Sequence, residues 1–155
     1  MMKVKVSFDT WVQLLGMLGV LGGLVFVGLE MQQTQKIALV SQIQERSYSA
    51  ISIMNTFIEA DLDWAEAIGQ YESVPPLTQR EKVERNVLNA AWFFAEADYF
   101  QFSQGLMTDE VWQAKLRAMA GNLKSCKHPT IYETRVRLVE EAFKKLLDSL
   151  PSECD

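Results

Sequence analysis

The sequence predicts an all-α protein in which a single N-terminal transmembrane helix continues into an antiparallel helical bundle. Three observations predict it. Thr10 to Leu29 carries no formal charge and is bounded by Asp9 and Glu30. Glu30 to Ala60 contains neither proline nor glycine, so nothing in it stops a helix. Beyond that point apolar residues recur at three- and four-residue steps between capping signals, and no alternating segment after residue 10 competes as a strand. The expected organisation is a polar lead over 1–9, a membrane helix over 10–29 and a helical domain over 30–155.

An α-helix rises about 1.5 Å per residue, so residues 10–29 span roughly 30 Å, the hydrocarbon thickness of a bilayer. A helix also satisfies its own backbone polar groups, which lipid cannot do. Lys3 and Lys5 precede the run in the manner of a signal peptide, but no Ala-x-Ala cleavage site closes it, and an uncleaved anchor is expected. Gly16, Gly19 and Gly23 fall near one helix face. The four-residue spacing of Gly19 and Gly23 is the one that lets two helix backbones approach closely in lipid.

From Glu30 the helix is expected to leave the membrane without stopping, with Ile37, Val40, Tyr48, Ile51, Met54 and Ile58 as its apolar stripe and Gln44 filling the gap. Anchor and first domain helix would then form one rod of up to about 75 Å. Asp61 and Asp63 interrupt it, Leu62, Trp64, Ala67 and Ile68 suggest a short amphipathic turn, and Gly69 to Leu77 is a linker containing Pro75 and Pro76. Trp64 and Tyr71 are expected to cover the end of the core.

Thr78 with Glu81 has capping-box spacing, which opens a helix predicted to run to Gln104 before Gly105. Its second half is the densest aromatic stretch: Trp92, Phe93, Phe94, Tyr99, Phe100 and Phe102. Apolar groups over so much of its girth predict a helix that is central in the bundle, the alternative being one that leaves a strip for a partner. Thr108 caps the next helix, with Trp112, Leu116 and Met119 as its stripe and an exit at Gly121 and Asn122. Thr130 with Glu133 repeats the capping-box spacing and predicts one last helix to Leu150, with Val136, Val139, Phe143, Leu146 and Leu150 inward, Glu140–Lys144 and Glu141–Lys145 as surface pairs, and Pro151 as the stop. The domain thus reads as four helices.

The formal charge of -5 over 155 residues disfavours nucleic acid as a partner, and no basic stripe with interleaved aromatics is present. Cys126 and Cys154 are the only cysteines and form no CxxC pair. They are consistent with a disulfide on an oxidising side or with two thiols on a reducing one. Together with His128, the single histidine, they match no zinc spacing. A helical di-iron site needs Glu-x-x-His elements, whereas Ser125 stands three residues before His128. No GxSxG elbow, phosphate loop, dinucleotide glycine pattern or HExxH occurs. No catalytic residue, metal site or cofactor is therefore expected.

The segments VFVGLEMQQTQKIAL at 25–39 and YFQFSQGLMTDEVW at 99–112 resemble a broad group of small uncharacterised bacterial membrane-anchored proteins carrying a domain of unknown function. In that group the anchor runs into an Arg-Gln-Asn-like sequence, where this chain has Met31, Gln32 and Gln33. The resemblance implies a single-pass inner-membrane protein with the domain in the cytoplasm. The basic residues near the span, Lys3 and Lys5 before it and Lys36 and Arg46 after it, are nearly balanced and leave the side open.

The expected function is that of a non-catalytic accessory or scaffold subunit. Its partners would be the bilayer and another membrane protein or a second copy. The alternative is a membrane-anchored sensory or small-molecule-binding module, in which Trp92, Glu96 and Tyr99 with Trp112 from another helix line an aromatic pocket containing one acid. Phe94, pointing away from Trp92, completes the candidate partner or pocket surface.

Overall fold

The computed structural model describes residues 7–70 and 76–150, and among these every regular element is a helix: α1 (Phe8–Glu59), α2 (Trp64–Ala67), α3 (Gln79–Ser103), α4 (Asp109–Leu123), α5 (Pro129–Arg135) and α6 (Glu141–Ser149). The chain divides into two units, Met1–Leu39 and Val40–Asp155. The predicted continuity of the first helix is observed, because α1 is one element of 52 residues. In the first unit its side chains are exposed throughout, and an 18-residue window has a mean hydropathy of 2.2. This helix is long and apolar enough to cross a membrane.

The second unit is organised around α3. Its N-terminus carries the predicted capping box: Thr78 Oγ1 accepts from the Glu81 backbone N–H, while Glu81 accepts from the Thr78 N–H at 2.8 Å. Glu81 is held below the ordinary glutamate range first by the Thr78 hydroxyl, which donates to its Oε2 at 2.6 Å, and next by the Thr78 N–H. Its C-terminus closes as a Schellman turn, in which the Gly105 N–H reaches Phe102 O and the Leu106 N–H reaches Gln101 O. Gly105 takes φ +73°, a left-handed conformation that costs glycine no Cβ clash. The end of α1 uses the same closure, with Asp61 at φ 54° and Leu62 N–H bonded to Phe57 O at 2.9 Å. Aspartate tolerates that region better than most residues, which is why a helix with no glycine at its C-terminal end can stop there.

Trp92 and Ala95 of α3 meet Trp112, Leu116 and Leu123 of α4, Ile131 of α5, Phe143 and Leu147 of α6, and Val136 just beyond α5, in one buried cluster. The expected centrality of the aromatic helix is thereby observed. The contribution of α1 to the second unit is narrower than its apolar stripe suggests. Val40, Ser47 and Met54, seven residues apart, are its buried positions, while Tyr48 is 54% exposed and Ile37, in the first unit, 52%. A small side chain at Ser47 suits close helix packing, and its hydroxyl is satisfied by donating to Ile43 O at 3.1 Å.

Three expectations are corrected. The fourth helix continues through Gly121 and Asn122 to Leu123, because Leu123 is buried at 1% exposure and the packing it gains outweighs one helical glycine. The single last helix is two, α5 and α6, with a turn from Val136 to Glu140 between them. Nothing in the local sequence breaks this helix. The turn separates Arg135, buried at the end of α5, from Phe143 and Leu147, buried on α6. Finally, Thr130 is not a cap: Pro129 occupies the first turn, His128 is the N-cap residue but its side chain makes no capping bond, and Thr130 O instead accepts from Thr134 Oγ1. Lys144 accordingly pairs with Asp148 at 2.9 Å rather than with Glu140, while Lys145 lies 4.0 Å from Glu141. Most of the predicted linker, including Tyr71 and Pro75, and the stop at Pro151 lie outside the described residues.

Glu84 ties α3 to the segment before α5 by accepting from Lys127, from Arg80 at 2.9 Å and from His128 at 3.4 Å. The hydrogen bond from Lys127, and next that from Arg80, hold its carboxyl down at about 2, against an ordinary 4.5. A depressed acid contributes stability above its unfolded pKa and loses it as pH falls through the folded value. The urea midpoint is therefore expected to decline from pH 4.5 toward pH 2, with Asp148, lowered mainly by its bond from Lys144, acting in the same direction. Glu84→Gln should flatten part of that decline. An unchanged slope in the variant would remove Glu84 from the acid response.

Candidate functional site

The chemistry-bearing features are an apolar helix surface in the first unit and the polar clefts along α3 in the second. In the first, Gly16, Gly19 and Gly23 lie on α1 as predicted, and a Cβ added at any of them would meet no atom within 4 Å. Their lack of side chains is not required by any contact among the described residues.

Among the described residues the rings expected to wall an aromatic pocket are packed against one another. Trp92 and Trp112 are fully buried, Tyr99 stacks on Phe143 with centroids 4.5 Å apart and planes at 14°, and Phe102 stacks on Trp112 at 5.2 Å and 12°. These rings fill the core, so the three residues offered as pocket walls are packing groups. The reason is geometric: Trp92 and Tyr99 share the face of α3 that meets Trp112 of α4, Tyr132 of α5 and Phe143 of α6. Trp64, the predicted cover, stands edge-on to Phe93 at 6.1 Å.

Glu96 and Phe94 diverge from that face. Phe94 is 44% exposed and meets Tyr48 of α1 edge-on at 6.3 Å. Glu96 accepts through Oε1 from Arg135 Nη2 at 2.8 Å, and Arg135 in turn lies 4.1 Å above the Phe93 ring. The Arg135 side chain is 5% exposed. Burial pushes the Glu96 carboxyl above its ordinary value, with Arg135 opposing the rise, and burial likewise lowers the Arg135 guanidinium. The sequence offered Glu96 as the one acid of an aromatic pocket and gave no sign of its partner, because Arg135 lies 39 residues away on a helix whose end was not anticipated.

A second buried polar group went unrecognised. Asp63 caps α2 through its bond from the Glu66 N–H at 2.8 Å and faces Arg85 at 3.3 Å, while Asn86 accepts from the Trp64 N–H at 2.8 Å and donates to Leu62 O at 2.9 Å. These groups fasten the turn between α1 and α2 to α3. The signal was the pair of polar residues Arg85 and Asn86 on a helix whose inward face they had to share.

Among the described residues no group of three or more His, Cys, Asp or Glu is arranged to hold a metal. Cys126 is disulfide-bonded, and Cys154 lies outside the described residues. No family model matches the chain, and neither a curated protein nor a solved structure is significantly similar to it.

Proposed function

We propose that the chain is a single-pass membrane accessory or scaffold subunit, held in the bilayer by the first part of α1 and associating there with another membrane protein or a second copy. The observation that carries this reading is the uncovered apolar surface of α1, in which every described side chain up to Leu39 is exposed. In lipid that surface is solvated by acyl chains and needs no protein cover. The open glycine positions 16, 19 and 23 supply a face on which a second helix can approach closely. The likeness of residues 25–39 and 99–112 to bacterial membrane-anchored proteins supports an inner-membrane setting but adds no activity.

For the side of the domain, the paired Cys126 supports an oxidising compartment, opposite to the cytoplasmic placement that the resemblance implies. Non-reducing mass spectrometry of freshly alkylated cells should recover Cys126 unalkylated and disulfide-linked. Recovery of the alkylated thiol would return the domain to the cytoplasm.

Membrane insertion is tested by Leu18→Arg combined with Leu21→Arg, each arginine costing about 2.5–3.5 kcal/mol near the centre of a membrane helix. The wild-type chain is expected to resist carbonate extraction and the double variant to be released. If the wild type is released as well, the anchor reading is wrong. Light scattering in mild detergent, with mass spectrometry of co-purifying chains, tests association, which a strict monomer free of partners would overturn.

A further inference from the structure

Ser47 lines two clefts of the second unit. The larger, about 410 Å³, is bordered by Gln44, Tyr48, Phe94, Asp98 and Lys115 among others, but its polar groups are committed to one another. Lys115 holds both Asp98 oxygens at 2.8 Å, and the Gln44 amide donates to the Tyr48 hydroxyl at 3.2 Å. The smaller cleft, about 290 Å³, is lined by Ile43, Arg46, Ser47, Ala50, Phe93 and Glu96, and its charged groups are not so occupied. Arg46 is exposed and makes no ion pair or hydrogen bond with any described residue. Glu96 spends Oε1 on Arg135 and keeps Oε2 uncommitted among the described residues.

Arg135 acts as the support of this arrangement. It is held between the Phe93 ring at 4.1 Å and Glu96 at 2.8 Å, and its buried Nε has no acceptor. The cleft therefore offers one free guanidinium, one half-used carboxylate and walls of Ile43, Ala50 and Phe93. A simple anion would meet Glu96, and a simple cation would meet Arg46 with Arg135 behind Glu96. A molecule carrying both charges satisfies both groups. The volume lies at the lower edge of ligand pockets, which run from about 300 to 1,000 Å³, and so restricts the occupant to a small metabolite.

We propose that this cleft binds a small zwitterion of the apolar α-amino acid class. The ligand carboxylate lies on the planar fork of Arg46, its ammonium on Glu96 Oε2, and its side chain against Ile43, Ala50 and Phe93. Guanidinium and carboxylate match as two parallel hydrogen bonds, which a point-charge cation would not provide. The site is independent of membrane association, since all of its residues belong to the second unit.

The test is calorimetric or ligand-observed NMR titration of the full chain in detergent with L-leucine, L-valine and L-phenylalanine. Isovalerate, isoamylamine and O-phosphoethanolamine serve as controls for the missing ammonium, the missing carboxylate and a phosphate in place of the carboxylate. At least one of the amino acids should bind saturably. All three controls should bind at least about tenfold more weakly, a difference of about 1.4 kcal/mol. Arg46→Met should weaken the amino acid by the same factor without changing the thermal midpoint, because Arg46 is exposed and makes no ion pair or hydrogen bond with any described residue. Lack of saturable binding by all three amino acids at about 10 mM, enough to fill a millimolar site, would overturn the proposal. Equal binding of isovalerate or isoamylamine, tighter binding of O-phosphoethanolamine, or an unaltered affinity in Arg46→Met would each do the same.

Discussion

Trp112→Ala is expected to destabilise the second unit by about 3–5 kcal/mol, the usual range for removing a large aromatic side chain from a packed core. The Trp112 ring is 1% exposed, stacks on Phe102 at 5.2 Å and lies 5.9 Å from Tyr99 and 6.4 Å from Phe143. Its removal leaves a hole between α3, α4 and α6 that none of these helices can fill without losing other contacts. A small domain has a total stability of about 5–15 kcal/mol, so the variant should be partly unfolded or close to it at room temperature. Phe94→Ala, on the same helix, should cost less than about 1.5 kcal/mol, since that ring is 44% exposed and its principal aromatic contact is Tyr48. Urea unfolding of the two variants in detergent, followed by far-UV circular dichroism, separates them. Equal costs would mean that Trp112 is not the centre of the core.

Asn86→Leu should cost about 2–4 kcal/mol by a different mechanism. Leucine has a similar size, so little packing is lost, but the Trp64 N–H loses its acceptor and Leu62 O its donor in a partly buried setting. Leaving a buried polar group unmatched costs about 1–3 kcal/mol. The damage is also localised. Amide exchange should accelerate first over residues 60–70, where the chain turns from α1 into α2, before any general loss of protection. Lys82→Met removes a bond to Asp61 O in the same turn, yet that lysine is partly solvated, so the expected cost is below about 1 kcal/mol. A uniform rise in exchange across α3 and α4 in Asn86→Leu would show that the turn is not the element this side chain secures.

What the sequence determined by itself is the part of the protein written in local rules. The apolar run of α1, its uninterrupted continuation to Glu59, the capping box at Thr78 and Glu81 and the stop at Gly105 depend on residues within a few positions of one another. Helix propensity, capping and breaking act over that distance and are legible without a fold. The central place of α3 was legible too, because an aromatic girth has to be buried somewhere.

The tertiary structure decided everything that depended on which face met which neighbour. The 100° step of a helix places Trp92, Glu96 and Tyr99 close together on paper, but burial splits them: Trp92 and Tyr99 go into the core, while Glu96 turns to Arg135 and the cleft beside Arg46. The break between α5 and α6 has the same origin. No residue from Val136 to Glu140 is a helix breaker, and the helices on either side of the turn bury Arg135 against Phe93 and Glu96, and Phe143 and Leu147 in the core. The bonds that Arg85 and Asn86 make to the turn at Leu62, Asp63 and Trp64 are the third case, since those partners lie about 22 residues or more away, beyond the reach of any periodic pattern.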